Sequence, residues 1–418
     1  MPAPSSCAPL IPAGAGAMPA AAAASLGAGL LTPFTVSVGG LLPVGELLLF
    51  AAAAWALLIP ALLRAWPGEL WREPLFLALL AAQGIALVAY VVSDLWRDSA
   101  PSDYLRGWSR MVFLAIDLAA IAYLAGCSSA NFVLLVAGVQ LGEILKVALF
   151  GALFGDVWKF GYALPVTVGA LLLAGRRGPL LASSVAASLG LLHFILDFRS
   201  LGMICLLVGA LSVVRLFPRV WLAWIAPLGL ATGLLIGGAV YAHTHGNRDG
   251  DRSSRSDVER TAMVVAALEA FRESPWIGNG SWFSRTRVMD NFMILREEGA
   301  RLAGVGGFAG ANEIEEDAGA LHSQILVTLA EGGIFGGAFF LLFSAALARA
   351  LYLEVIVLPW TPLSALGQFL LCLALFNVFL SPFSGAHRVQ IALAAVLVVM
   401  VARAGREQRE QASPEARP

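Results

Sequence analysis

The sequence predicts an all-α polytopic membrane protein with about twelve transmembrane helices and one long polar loop outside the cytoplasm. Three observations lead there. Of 418 residues, 59% are hydrophobic and only 13% charged, against about a quarter charged in a soluble domain. Apolar runs recur along the whole length, and helices are the form that satisfies their backbone in lipid. One segment, 243–321, breaks this pattern with nine Arg, no Lys and an excess of Asp and Glu.

The predicted spans lie at 18–38, 44–63, 75–94, 110–127, 130–152, 160–175, 178–197, 200–214 and 220–242, then at 322–348, 362–381 and 389–403. The first is weakened by Pro33 and a Gly pair. The chain thus divides into N-terminal helices (1–242), the polar insert (243–321), C-terminal helices (322–403) and a polar tail (404–418) expected to be disordered and cytoplasmic. Arg64, Arg72, Arg176, Arg177, Arg215, Arg219, Arg349, Arg403, Arg406 and Arg409 all fall on one side of this plan, which should be the cytoplasm. Both termini are then inside and the insert outside. Arg97, Arg106 and Arg110 oppose the rule; they are either interfacial charges or functional ones.

The net charge of −1 gives no reason to expect nucleic acid. Cys7, Cys127, Cys205 and Cys372 are scattered and form no disulfide or metal pattern. The Ala-rich N-terminus lacks the positive start of a cleaved signal peptide.

Chemistry is expected where the insert meets the membrane. Asp197 and Arg199 sit between two apolar runs, either as a paired interfacial turn or with the guanidinium facing a cavity. Ser256 or Asp257 can cap a helix running to Arg272, its apolar residues Met263, Val264, Ala267, Leu268 and Phe271 suiting a membrane surface. Arg260 in that helix is either a phosphate contact or a solvated charge. Ser274-Pro275 ends the helix, and Gly278-Asn279-Gly280 predicts a tight turn that lets backbone approach a ligand. His322 opens the next span, where an imidazole titrates near neutrality and can take a proton. Glu331 lies about 13 Å further along that helix axis, beyond contact. Gly332-Gly333 and Gly336-Gly337 predict close packing. The acidic run Glu313-Ile314-Glu315-Glu316-Asp317 and the pair His243/His245 match no metal-binding spacing. His193, inside a span, reads as a hydrogen-bonded core histidine.

Taken together, three segments resemble the bacterial O-antigen ligase and O-antigen polymerase superfamily. They are Ser274-Pro275-Trp276-Ile277-Gly278-Asn279-Gly280 with Arg260 before it, Leu321-His322-Ser323-Gln324-Ile325 with Leu329-Ala330-Glu331-Gly332-Gly333-Ile334-Phe335-Gly336, and Phe198-Arg199-Ser200-Leu201-Gly202. The match covers roughly 195–345, and Phe198 departs from the usual Ser. The resemblance implies a C-type glycosyltransferase architecture in the bacterial inner membrane, active on its periplasmic side without metal or cofactor. The implied donor is an undecaprenyl-diphosphate-linked glycan, the acceptor another glycan or lipid A-core, and the surroundings membrane lipids. It assigns the diphosphate to Arg199 and Arg260 and the acceptor hydroxyl to His322. The rival reading is a transporter or flippase of lipid-linked sugars. That would need charges buried in several spans, and only Glu143 and Lys146 in one span speak for it in the sequence.

Overall fold

The computed structural model describes residues 19–37, 41–58, 70–152, 156–217, 250–281, 294, 298, 301, 323–383 and 385–412. Helices occupy the apolar runs. α1 (Pro19–Leu31) leads through a short antiparallel hairpin, β1 (Thr35–Ser37) and β2 (Leu41–Pro43), into α2 (Val44–Leu58). Then come α3 (Pro74–Arg97), α4 (Pro101–Cys127), α5 (Ser129–Phe150), α6 (Ala163–Gly175), α7 (Pro179–Ile195) and α8 (Arg199–Val214). The insert contributes α9 (Gly250–Glu273). The C-terminal part holds α10 (Gln324–Gly336), α11 (Ala338–Tyr352), α12 (Ser364–Leu380) and α13 (Gly385–Ala412).

Local chemistry sets the starts. Pro opens α3, α4 and α7 in the first turn, where its missing N–H is no loss. The Ser128 hydroxyl accepts from the Ala130 N–H at 3.2 Å and caps α5. α6 is entered through a wider π turn at Trp158–Tyr162, and α11 leaves through another at Leu353–Val357.

Among the described residues, six helical segments are long and apolar enough to cross a membrane, and shorter apolar helices accompany them. The chain is an α-helical, multi-pass membrane protein. Helices lie at each predicted span except 220–242, which falls outside the described residues. Large apolar side chains face outward, among them Val88, Leu173 and Ile195, as lipid-facing helices require.

Small residues bring helices together. On α5, Gly138 and Gly142 are four apart and meet α1 at Gly29 and Leu30; a Cβ on Gly138 would lie 2.5 Å from the Leu26 carbonyl oxygen. Further along, Phe339, Phe340 and Phe343 of α11 and Phe369 of α12 are fully buried.

Three expectations are corrected. The span at 322–348 is not one helix: its backbone leaves helical geometry at Gly333, and α10 and α11 meet at Gly337. The tail at 404–418 is not disordered throughout. α13 continues to Ala412, with Arg403 Nε 2.7 Å from Glu407 Oε1 one turn on and Arg406 paired with Glu73. Both pairs anchor polar residues that carry no apolar stripe. Finally, α4 begins at Pro101, so Arg110 lies inside a helix rather than at its mouth.

Candidate functional site

The site is built where the turn after α9 meets the break in α10. At Gly333, φ is 65° and ψ −161°, so the helical ladder is interrupted. In an unbroken helix the Ile334 N–H would bond the Ala330 carbonyl. Here it donates to the Pro275 carbonyl at 2.8 Å instead. The Ala330 and Glu331 carbonyls are thereby freed, and the turn fills them. Asn279 N–H lies 3.1 Å from each, and Gly280 N–H 2.9 Å from Glu331 O. The Asn279 side chain adds bonds to Ala270 O at 2.8 Å and Ala330 O at 3.0 Å, tying α9 to α10. A broken membrane helix must recover its lost hydrogen bonds from protein, and this turn supplies them.

Only glycine fits the contact. Gly278 and Gly280 have φ of 84° and 92°, a region closed to most side chains. A Cβ on Gly278 would overlap the Glu331 carbonyl oxygen, and one on Gly333 would lie 2.6 Å from Trp276 O.

One face of α3 receives both partners. Tyr90, Ser93, Asp94 and Arg97 are spaced to share that face. The Tyr90 hydroxyl donates to Glu331 Oε2 at 2.7 Å, and Ser93 to Glu331 O at 3.0 Å. Asp94 accepts from Ser281 N–H at 2.5 Å, the Ser281 hydroxyl at 2.6 Å and Trp108 Nε1 at 2.8 Å. Arg97 Nε donates to Gly278 O at 3.2 Å. From α4, Arg110 Nη2 sits 2.5 Å from Glu331 Oε2, with the guanidinium 5.5 Å from the centre of the Phe383 ring. Arg110 and Glu331 are each 5% exposed. Two acids and two guanidiniums thus hold one turn against one helix break: Asp94, Glu331 and Arg110 are buried, and Arg97 is exposed at the end of α3. Beside it runs an apolar groove of about 650 Å³, lined by Gly84, Ile85, Val88, Trp276 and Phe335.

The sequence-derived candidates fall differently. His322 lies outside the described residues. Its neighbour Ser323 is buried and caps α10 through the Leu326 N–H at 3.4 Å. Arg260 lies on α9, which packs on α10, but its side chain is outside the described set. Arg199 opens α8, which packs on α7 and α12. Its side chain is 43% exposed and pairs with Asp197 at 3.0 Å; such an exposed pair contributes little to stability. The structure therefore brings the helix of Arg260 to the helix that follows His322, and sets Arg199 on another pair of helices. His193 is a buried core histidine as expected, bonded by Trp158 Nε1 at 3.2 Å and lying 2.9 Å from the Thr167 hydroxyl.

The buried face of α9 is Ala262, Ala266, Ala267 and Ala270, while Val264 and Leu268 face outward. Gly332 and Gly336 do pack closely, against the Tyr90 ring. Tyr90 and Asp94 were not singled out by sequence, and Arg110 only as one of three misplaced charges. Among the described residues no three His, Cys, Asp or Glu come together as a metal site; the 313–317 run and His243/His245 lie outside them. Comparison with protein-family models and with curated proteins returns no match for this chain.

Proposed function

We propose that the protein is a membrane glycosyltransferase of the O-antigen ligase or polymerase type, with about twelve spans and its insert on the periplasmic side. It transfers or polymerises glycan from an undecaprenyl-diphosphate-linked donor without metal, and the resemblance of three sequence segments is the starting point. The observation that carries the reading is the lock between the 275–281 turn and the α10 break at Ala330–Ile334. Two of those three segments, about fifty residues apart, meet as one unit. The apolar groove beside Trp276 suits a polyprenyl chain lying along α3.

In this reading the acceptor hydroxyl attacks the anomeric carbon as the bond to the diphosphate oxygen breaks, with inversion. Its proton passes to the neutral His322 imidazole, and Arg260 and Arg199 offset the charge on the leaving diphosphate. Purified protein should extend or transfer a lipid-linked glycan in excess chelator. His322→Ala should lower the rate by on the order of 10²–10⁴, the usual worth of acid–base catalysis. Arg260→Ala should weaken donor binding, and Arg260→Lys should rescue it only partly, because the bidentate fork is lost. A His322→Gln variant with near-normal turnover would reduce that residue to an anchor. Wild-type transfer by both Arg→Ala variants would remove the diphosphate assignment.

The side of the membrane has its own check. A reporter inserted at Gly250 should read periplasmic and one appended after Pro418 cytoplasmic. The reverse signal at Gly250 would rule out a donor presented from outside.

One observation favours the second reading, a transporter or flippase. Glu46, Asp117, Arg110, Glu331 and Arg388 are buried on four different helices, where the sequence placed charge at the surface. Proteoliposomes given lipid-linked glycan separate the two: a transferase makes a larger product, whereas a flippase only moves its substrate across the bilayer.

A further inference from the structure

A second set of ionisable groups lies in the helix core away from the turn. α2 supplies Glu46, α4 Asp117 and α13 Arg388, exposed by 0%, 0% and 5%. Arg388 donates from Nε to Glu46 Oε1 at 3.1 Å and from Nη2 to Oε2 at 2.7 Å, a two-pronged pair. Its guanidinium also lies 5.4 Å from the centre of the Phe113 ring. Asp117 lies against Glu46. Yet neither Asp117 carboxylate oxygen meets a hydrogen-bond donor.

Charge balance makes this arrangement chemically specific. Two carboxyls share one guanidinium in a place closed to water. Two ionised carboxylates in contact present acceptor to acceptor and repel. One proton between them turns that contact into a hydrogen bond, and it belongs to the pair rather than to either residue. The charge of Arg388 acts on both carboxyls. Glu46 and Arg388 both lie in the first turn of their helices. We propose that Glu46, held by Arg388, and the adjoining Asp117 form a proton-binding site that loads and releases one proton. Ionisable groups inside membrane helices commonly serve such exchange.

His387, beside Arg388 on α13, is not among the groups that act on Glu46 or Asp117. α2 presents Glu46 and α13 presents Arg388. On α3, Tyr90 and Asp94 act on Arg110 rather than on Asp117, and Glu143 and Lys146 of α5 are not among the charges that act on it. Arg110, Phe113 and Asp117 share one face of α4 by their spacing. The proton site therefore lies on the same helix face as the ion pair to Glu331, and its charge state can bias that pair. This inference does not depend on glycan transfer.

Infrared difference spectra of the purified full chain in lipid, recorded over the pH range of the folded protein, test it. The expected result is a carboxylic-acid C=O band that grows at low pH and disappears at high pH. It should be lost in Asp117→Asn and shifted in Glu46→Gln. If Asp117→Asn fails to fold, carbon-13-labelled aspartate should displace the band in the wild type. No band, a band that ignores pH, or a band that responds to sodium instead of protons overturns the proposal. So does an unshifted band in Glu46→Gln, since the proton would then not be shared.

Discussion

Glu331→Ala should unfold the protein at a markedly lower temperature than wild type, and Glu331→Gln should do nearly the same. The alanine leaves Arg110 buried without its carboxylate and Tyr90 without its acceptor. Breaking one partner of a buried ion pair costs about 3–5 kcal/mol, because the remaining charge is uncompensated. The glutamine keeps an acceptor for Tyr90 but not the negative charge, so it isolates the electrostatic part. Removing both partners together, as Arg110→Met with Glu331→Leu, should recover much of the loss, since two apolar side chains of similar volume need no compensation. Thermal unfolding of the four proteins in detergent, followed by circular dichroism, measures this. A Glu331→Ala variant within about 1 kcal/mol of wild type would place the pair in contact with water. A double variant no more stable than the single ones would deny that an unpaired charge is the cause.

Gly278→Ala should separate the turn from α10 and abolish activity while the protein still inserts. Alanine at φ of 84° is strained by on the order of 1–3 kcal/mol. The larger effect is steric, because its Cβ would occupy the place of the Glu331 carbonyl oxygen. The Asn279 and Gly280 N–H bonds must then lengthen or break, and Ala330 and Glu331 are left with unmet carbonyls. Gly151→Ala is the matched control: its φ is 81° and nothing stands within 4 Å of its Cβ position. Protease accessibility near Ser274 should rise in Gly278→Ala and not in Gly151→Ala. Wild-type protection and turnover in Gly278→Ala would mean that the turn need not dock for function.

What the sequence made legible follows from locality. Apolar runs forecast helices because the requirement acts residue by residue along each run. His193 was readable because an isolated His in an apolar segment has few other fates. The turn at 274–280 was readable because Pro and Gly act on their own backbone. Arg110 was not, since its carboxylate lies 221 positions away on Glu331 and no local pattern reports that. The helical tail failed for a related reason: Arg406 is held by Glu73, far back in the chain. The Gly333 break was masked by its own composition. Paired glycines signal close packing and a broken helix equally well, and Gly332 does the first while Gly333 does the second. On α9, the larger apolar residues drew attention, whereas close approach to α10 selects alanine.

The distance between the halves of the lock bears on how the chain is made. Tyr90 and Asp94 enter the membrane with α3, but their partners Glu331 and Ser281 are synthesised 241 and 187 residues later. Through that interval Asp94 is an acid near a membrane helix end with its main donors still missing. Arg110, 16 residues on from Asp94 on the neighbouring helix, is the first buried guanidinium to arrive, after the exposed Arg97 and Arg106, and a temporary pairing of the two would lower the cost of waiting. Completion of the fold would then exchange partners, Arg110 passing to Glu331 as Ser281 takes Asp94. Nascent chains stalled before residue 281 should therefore lean on membrane chaperones more than chains stalled after residue 337, and crosslinking to the insertion machinery would reveal that difference.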